Sequence, residues 1–220
     1  MSLVLIRHGK SVWNLENKFT GWYDIELAPE GMIEAEKAAS FLADNEFKPD
    51  VCFTSYLQRA NKTLEIILNH MPVKMVKDIE IIKSWKLNER HYGALQGLNK
   101  DDTKNEYGEQ KFLEWRRSYN IPPPILDEDS IMNPKKDPIY ENENTDELPL
   151  TECLKDTYDR VVPYWTSEIK PLILEKDVMI AAHGNSLRAL CKFLFDIEDD
   201  DIVNLEIPTG NPLLINLDKS

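Results

Sequence analysis

Leu3-Val4-Leu5-Ile6-Arg7-His8-Gly9 opens the chain with an apolar run that ends in a fixed cation and a histidine. An uninterrupted run of this kind fits a strand buried on both faces, as in a parallel sheet. Far downstream, Val178-Met179-Ile180-Ala181-Ala182 runs into His183-Gly184-Asn185 in the same way. An open parallel sheet places its ligand crevice outside the carboxyl ends of its strands, so the two histidines are expected to meet there. One histidine after a strand reads as a packed or capped structural residue. Two, each followed by glycine, read as one shared site. The glycines are expected to let backbone approach a ligand and to leave amides free for anionic oxygens. Arg7 beside His8 makes phosphate the expected ligand class.

The pattern around these strands predicts an α/β fold. Pro29 and Glu30 open a helix whose Ala35, Ala39 and Leu42 repeat helically. Val51-Cys52-Phe53 reads as a second buried strand. Thr54-Ser55 then hands over to a helix with Leu57, Ala60, Leu64 and Ile67 on one face and Arg59 near its start. Ile79 to Trp85 reads as a third strand, leading to Leu87-Asn88-Glu89-Arg90-His91-Tyr92-Gly93. Helices near Thr151 to Ile169 and from Ser186 to Phe195, and a closing strand near Leu213 to Leu217, complete the pattern. The expectation is one domain over residues 1–220, a three-layer α/β/α sandwich with a mostly parallel sheet. The stretch from about Gln96 to Leu150 breaks the rhythm and holds six of the 13 prolines, so it reads as an inserted lid over the strand ends.

Composition excludes several classes. The 42% hydrophobic and 30% charged content over 220 residues is that of an ordinary globular chain. No apolar stretch approaches the roughly 18 residues of a membrane span, and Met1 is not followed by a charged region and a cleavable apolar segment; the expectation is cytoplasmic. A net charge of −13 argues against nucleic acid and anionic membranes, which demand a basic face. Cys52, Cys153 and Cys191 are far apart with no CxxC pair, which fits reduced structural thiols. Asp196 to Asp201 lacks the spacing and glycine of a calcium loop and reads as a solvated loop. There is no HExxH and no P-loop. His70 reads as a helix-end residue and His91 as structural, so no metal is expected.

Arg7-His8-Gly9-Lys10-Ser11, Phe19-Thr20-Gly21-Trp22, Leu87 to Gly93, Gly97-Leu98-Asn99-Lys100, Trp115-Arg116-Arg117-Ser118-Tyr119, Ile121-Pro122-Pro123-Pro124, Leu154-Lys155-Asp156-Thr157 and Ala182 to Arg188 together resemble the cofactor-dependent phosphoglycerate mutases of the histidine phosphatase superfamily. The likeness runs in order along nearly the whole chain. Arg-His-Gly marks only the superfamily, whereas Leu87 to Gly93 and Trp115 to Tyr119 are mutase-specific. The resemblance implies interconversion of 3- and 2-phosphoglycerate in glycolysis and gluconeogenesis, primed by 2,3-bisphosphoglycerate. It also implies a homodimer or homotetramer. Lys10, Lys86 and Cys153 stand where the family usually has Glu or Gln, Arg and Ser. Many members continue past the position of Leu217-Asp218-Lys219-Ser220 with a tail over the site.

Chemistry assigns the roles. Moving a phosphoryl group between two hydroxyls of one small acid requires a nucleophile that holds and releases it, which neutral imidazole does through a labile P–N bond. His8 is that nucleophile. Arg7, Arg59 and His183 fit the stabilisation of charge spread over the transferring oxygens. By the family pattern Asn14 and the backbone at Gly184 and Asn185, with Gly9, complete the cradle. The resemblance selects Glu89 as acid/base, with a pKa expected to rise beside phosphate; a salt bridge to Arg90 is the competing reading. Lys100, Arg116 and Arg117 are expected to grip the carboxylate and the non-reacting phosphate, with Ser11, Thr20, Gly21, Arg90 and Tyr92 at the other rim. Trp13, Trp22, Trp85 and Trp115 read as packing. A phosphatase of the same superfamily, with water as acceptor, is the second reading. A scaffold that only binds phosphorylated ligands is the third.

Overall fold

The computed structural model describes residues 1–216. Five strands, β1 (Ser2–Arg7), β2 (Val51–Thr54), β3 (Glu80–Lys83), β4 (Val178–Ala182) and β5 (Leu213–Asn216), form one sheet in the order β3-β2-β4-β1-β5. All neighbours are parallel except β5, which runs antiparallel to β1 at the edge. Leu217, expected to end that strand, and the remaining residues to Ser220 lie outside the described residues.

The helices are α1 (Val12–Leu15), α2 (Pro29–Asp44), α3 (Gln58–His70), α4 (Lys100–Tyr107), α5 (Glu109–Arg117), α6 (Leu154–Tyr164), α7 (Lys170–Ile173) and α8 (Gly184–Leu194). Successive strand side chains point to opposite faces. Val4, Ile6, Cys52, Met179 and Ala181 therefore pack on Ala35, Ala39 and Leu42 of α2 and Leu64 and Ile67 of α3. Leu3, Leu5, Phe53, Val178 and Ile180 pack on Val161, Leu187 and Leu190 of α6 and α8. Both sheet faces are covered, which is why the central strands read as unbroken apolar runs. The outcome is the expected α/β/α sandwich.

Two boundaries and one segment differ from the sequence reading. The third strand ends at Lys83 because Ser84 accepts a hydrogen bond from Lys86 N and turns Trp85–Leu87 into a 3₁₀ turn. The long helix expected up to Ile169 is α-helical only over Leu154–Tyr164, then passes through a π turn at Trp165–Ile169. Pro163 and Pro171 each lack an amide for the α ladder, and the wider register absorbs the mismatch. The segment expected to form a lid is also more ordered than its composition suggests. It begins with two helices: Asn99 caps α4 by accepting from Asp101 N and Asp102 N, and Gly108, at φ 84°, turns the chain into α5. Its six prolines all fall beyond Arg117, where the chain is loops and short 3₁₀ turns.

Candidate active site

Strand register creates the site. Arg7 pairs with Ala182, so His8 and His183, the next residue on each strand, stand side by side with ring centroids 5.0 Å apart. Thr54 pairs with Ala181 on the other side of β4, which brings Ser55 Oγ to 2.7 Å from His183 Nε2. His8 Nδ1 lies 2.7 Å from the Gly9 carbonyl. A carbonyl only accepts, so Nδ1 carries the proton and Nε2 keeps its lone pair. Burial, then the charges of Arg59 and Arg7, hold His8 well below the usual imidazole range, so the ring is neutral at pH 7. His183 is held down by burial first and then by Arg59, His8 and Arg7. Ser55 Oγ already accepts from Leu57 N, so its hydroxyl proton can go to His183 Nε2. The tautomer in which Ser55 donates puts a proton on His183 Nδ1, which is buried without a hydrogen-bond partner among the described residues.

Glu89 is buried beside this pair. Its Oε1 accepts from the amides of Arg90 (2.8 Å) and Asn185 (2.9 Å). Burial raises its pKa, but Arg7, Arg59 and the two amides outweigh that and hold it below the usual carboxylate range. Glu89 is therefore ionised in the unliganded site, and the rise expected beside phosphate concerns the liganded one. A side-chain salt bridge to Arg90 is not found, because that guanidinium donates to the Arg116 carbonyl (3.0 Å) and lies over the Tyr92 ring. The Glu89 loop is fixed from behind. Arg160 donates to the carbonyls of Lys86, Asn88 and Glu89 at 2.7 to 3.0 Å, and its charge is met by buried Glu152 at 2.6 Å. Trp22 Nε1 donates to the same Glu89 carbonyl.

Above this floor lies a cavity of about 110 Å³, sized for a small polar ligand. Of the residues expected in the site, Arg7, His8, Asn14, Thr20, Gly21, Arg59, Glu89, Tyr92, Lys100, Arg116, Arg117, Gly184 and Asn185 line it. Arg59 is buried with its Nη atoms on the Tyr23 and Gly21 carbonyls, and burial lowers its pKa to about 10. Nε of Arg7, Arg59 and Arg188 is buried without a partner among the described residues. These are donors that anionic oxygens satisfy. With Lys18, Lys100, Arg116 and Arg117 they face two carboxylates, Glu89 and Glu206. The donor set fits a small ligand with several negative charges. No cluster of three or more His, Cys, Asp or Glu positioned to hold a metal occurs among the described residues.

Four expected residues stand behind the cavity wall. His183 stands beside His8, outside the cavity lining. Ser11 is buried and caps α1, accepting from Asn14 N, so it places Asn14 rather than lining the pocket. Arg90 anchors the Arg116 backbone. Gly9 is required by packing, not by a ligand: a Cβ there would stand 2.1 Å from the Gly31 carbonyl oxygen, and its amide donates to Thr63 Oγ1 at 3.0 Å. The amide of Asn185, expected to be free, is taken by Glu89. Lys10 turns away toward Glu34, 3.7 Å off, and adds no charge to the cavity. The sequence reading missed Lys18, Phe19, Arg188, Glu206 and Ile207 on the wall. Arg188 carried a signal: it follows His183 by five residues on an amphipathic helix, and its Nη1 donates to Asn185 Oδ1 at 2.9 Å.

Structural readings elsewhere hold. His70 ends α3 with Nδ1 on the Ile66 carbonyl, and His91 Nδ1 accepts from Gly93 N. The three cysteines are free and buried. Trp22, Trp85 and Tyr140 form an aromatic cluster, and Trp115 packs with Phe19 and Phe112. No helix among the described residues is long and apolar enough to cross a membrane.

Two neutral histidines at parallel strand ends, ringed by arginines, define a phosphoryl-handling site. The sequence profile of the Histidine phosphatase superfamily (branch 1) matches residues 3–132. The chain is 53% identical over 218 residues to the 2,3-bisphosphoglycerate-dependent phosphoglycerate mutase of Borreliella burgdorferi (strain ZS7), covering 99% of this chain and 87% of that one. Identity to the protein of the same name from Borreliella afzelii (strain PKo) is 54% at the same coverage. Among solved structures, Mycobacterial hydrolase 1 superposes with a TM-score of 0.72 at 20% identity, over 97% of this chain and 87% of that one, and supports the fold alone. The chain belongs to the histidine phosphatase superfamily and, within it, to the family of the 2,3-bisphosphoglycerate-dependent phosphoglycerate mutases.

Proposed function

We propose that the protein interconverts 3-phosphoglycerate and 2-phosphoglycerate in glycolysis and gluconeogenesis through a phosphohistidine on His8, primed by 2,3-bisphosphoglycerate and without a metal. The observation that carries this reading is that the lid cations Lys100, Arg116 and Arg117 line the same cavity as His8 and Glu89. A phosphatase needs the nucleophile and the floor. A mutase must also hold the bisphosphate while it is re-presented, and exclude water.

When bound, 2,3-bisphosphoglycerate supplies the phosphoryl group. His8 accepts it at Nε2, the nitrogen that the Gly9 carbonyl leaves unprotonated. Arg7, Arg59 and the His183 Nδ1 proton stabilise the charge on the transferring oxygens, with Asn14 and Gly184 completing the cradle and Asn185 holding Glu89 through its amide. Glu89, ionised and with Oε1 held by two amides, uses Oε2 to take the proton from the ligand hydroxyl that attacks phosphohistidine, and returns it in the reverse direction. Lys100, Arg116 and Arg117, with Thr20, Gly21 and Tyr92, grip the carboxylate and the second phosphate. Opposite charges 4 Å apart are worth about 4 kcal/mol at an effective dielectric near 20, so a multiply anionic ligand needs several cations. Ser11, Gly9 and Arg90 serve as supports for this set.

We further infer residues 1–220 as one domain with a lid at about 96–150, a cytoplasmic location, a homodimer or homotetramer, and no nucleic-acid or membrane partner, in keeping with a net charge of −13. The test of function is a coupled assay for 2-phosphoglycerate formed from 3-phosphoglycerate, with and without the bisphosphate primer. Primer-dependent formation is expected; release of inorganic phosphate as the main product would favour the phosphatase reading.

A further inference from the structure

Glu206 is a carboxylate in the wall of a cavity otherwise built for anions. It pairs with Arg117, the last residue of α5, across 89 positions of sequence, so the contact joins the lid to the C-terminal segment at the cavity mouth. That segment is tied to the floor. Arg7 Nη1 donates to the Ile207 carbonyl at 2.8 Å, and Gly210 N donates to the Arg7 carbonyl at 3.0 Å. The backbone carrying Glu206 is thus held by a residue beside the nucleophile, while its side chain is 66% exposed and free to swing into solvent. The other carboxylate in the wall, Glu89, spends Oε1 on backbone amides; Glu206 is spent on a cation that a ligand needs. Burial alone would raise the Glu206 pKa, but Arg117, then Arg116 and Arg188, hold it below the usual range, so it is charged.

We propose that Glu206 is a specificity-determining residue that holds Arg117 in place of the ligand's outer anionic group, so that a phosphoglycerate binds by taking Arg117 from it. This rests on the mutase reading above. An exposed ion pair is weak, so the exchange is easy, and the displaced carboxylate stays close enough to repel a highly charged ligand. Glu206 therefore lowers retention of the bisphosphate and favours its exchange with the monophosphates.

The test is a double-mutant cycle with Glu206→Gln and Arg117→Gln, read by steady-state kinetics and by calorimetric titration of 3-phosphoglycerate, which reports binding without turnover. Because the side chain is exposed, the Gln variant retains the fold. Glu206→Gln is expected to lower KM for 3-phosphoglycerate and the half-saturating concentration of 2,3-bisphosphoglycerate about two- to fivefold, the range of an exposed ion pair. In the Arg117→Gln background that gain should shrink to the part that comes from charge repulsion alone. Unchanged or weaker binding in Glu206→Gln, or an equal gain without Arg117, would overturn the proposal. If the wild type lacks mutase turnover but Glu206→Gln still binds 3-phosphoglycerate more tightly through Arg117, the mutase reading fails and the Glu206 assignment stands. Normal mutase turnover with unaltered binding in the variant overturns the Glu206 assignment alone.

Discussion

The floor and the rim of the cavity are built by different means. His8, Arg59, Glu89 and His183 on the floor are each no more than 7% exposed and are fixed by strand register and buried hydrogen bonds. On the rim, Arg117 is held by a partly exposed ion pair, and Arg116 through its backbone by Arg90 and by its guanidinium over the Phe112 ring. A reacting atom must be held to within a fraction of an ångström, which a strand end inside a packed core can do and a short lid helix cannot. Recognition of a mobile, charged ligand tolerates looser geometry and needs groups that can release it. On the proposed reading, chemistry therefore sits on the floor and affinity on the rim.

The sharpest way to break this division is at Glu89. Glu89→Gln keeps the shape of a side chain held by two amides, and it should lower kcat by about 10²- to 10⁴-fold with a small change in KM. Urea denaturation of the variant should show retained folding; an unfolded variant would make Glu89 structural. A rim residue should behave the opposite way. Arg116→Ala should raise KM for phosphoglycerate about tenfold and increase the share of turnovers that release inorganic phosphate, with His8 phosphorylation nearly intact. Unchanged KM and product partition would leave Arg116 a surface residue.

A smaller effect separates the two regions by pH. His8, His91 and His183 are buried with pKa values below the ordinary 6.5, His91 falling to about 3 through burial and Arg160. The unfolded chain therefore binds more protons than the fold once pH drops below 6.5, and stability must fall with pH in that window. Each such histidine contributes about 1.4 kcal/mol per pH unit between 6.5 and its folded pKa. Glu89, depressed, adds its own loss only as pH falls below the ordinary carboxylate value of 4.5. Denaturation midpoints from pH 7.5 to 5 should decline accordingly, while Arg116→Ala should leave the slope unaltered. A flat profile would mean that the floor histidines are charged in the fold.

The floor was legible in the sequence and the rim only in part, for a physical reason. Apolar runs ending in Arg7-His8 and His183 specify buried strands, and parallel pairing then forces their ends together. Register, once given, needs no further information. Glu89, by contrast, lies on a loop whose position depends on Arg160 and Glu152, more than 60 residues away, and only the resemblance singled it out. Gly9 reads as a ligand contact in the sequence because a glycine beside a histidine does not reveal that Gly31 crosses it. Ser11 has the side chain of a ligand contact and of a helix cap alike, and the cap won. Glu206 left no local signal, since its meaning comes from Arg117 across the mouth.

The most direct measurement of the phosphoryl-transfer assignment is the covalent state of His8 after incubation with 2,3-bisphosphoglycerate. The predicted result is one acid-labile, base-stable phosphate per chain, mapped to His8 by mass spectrometry and lost, together with turnover, in His8→Ala. Label that persists in His8→Ala, or phosphate found on another residue of the wild type, would contradict it.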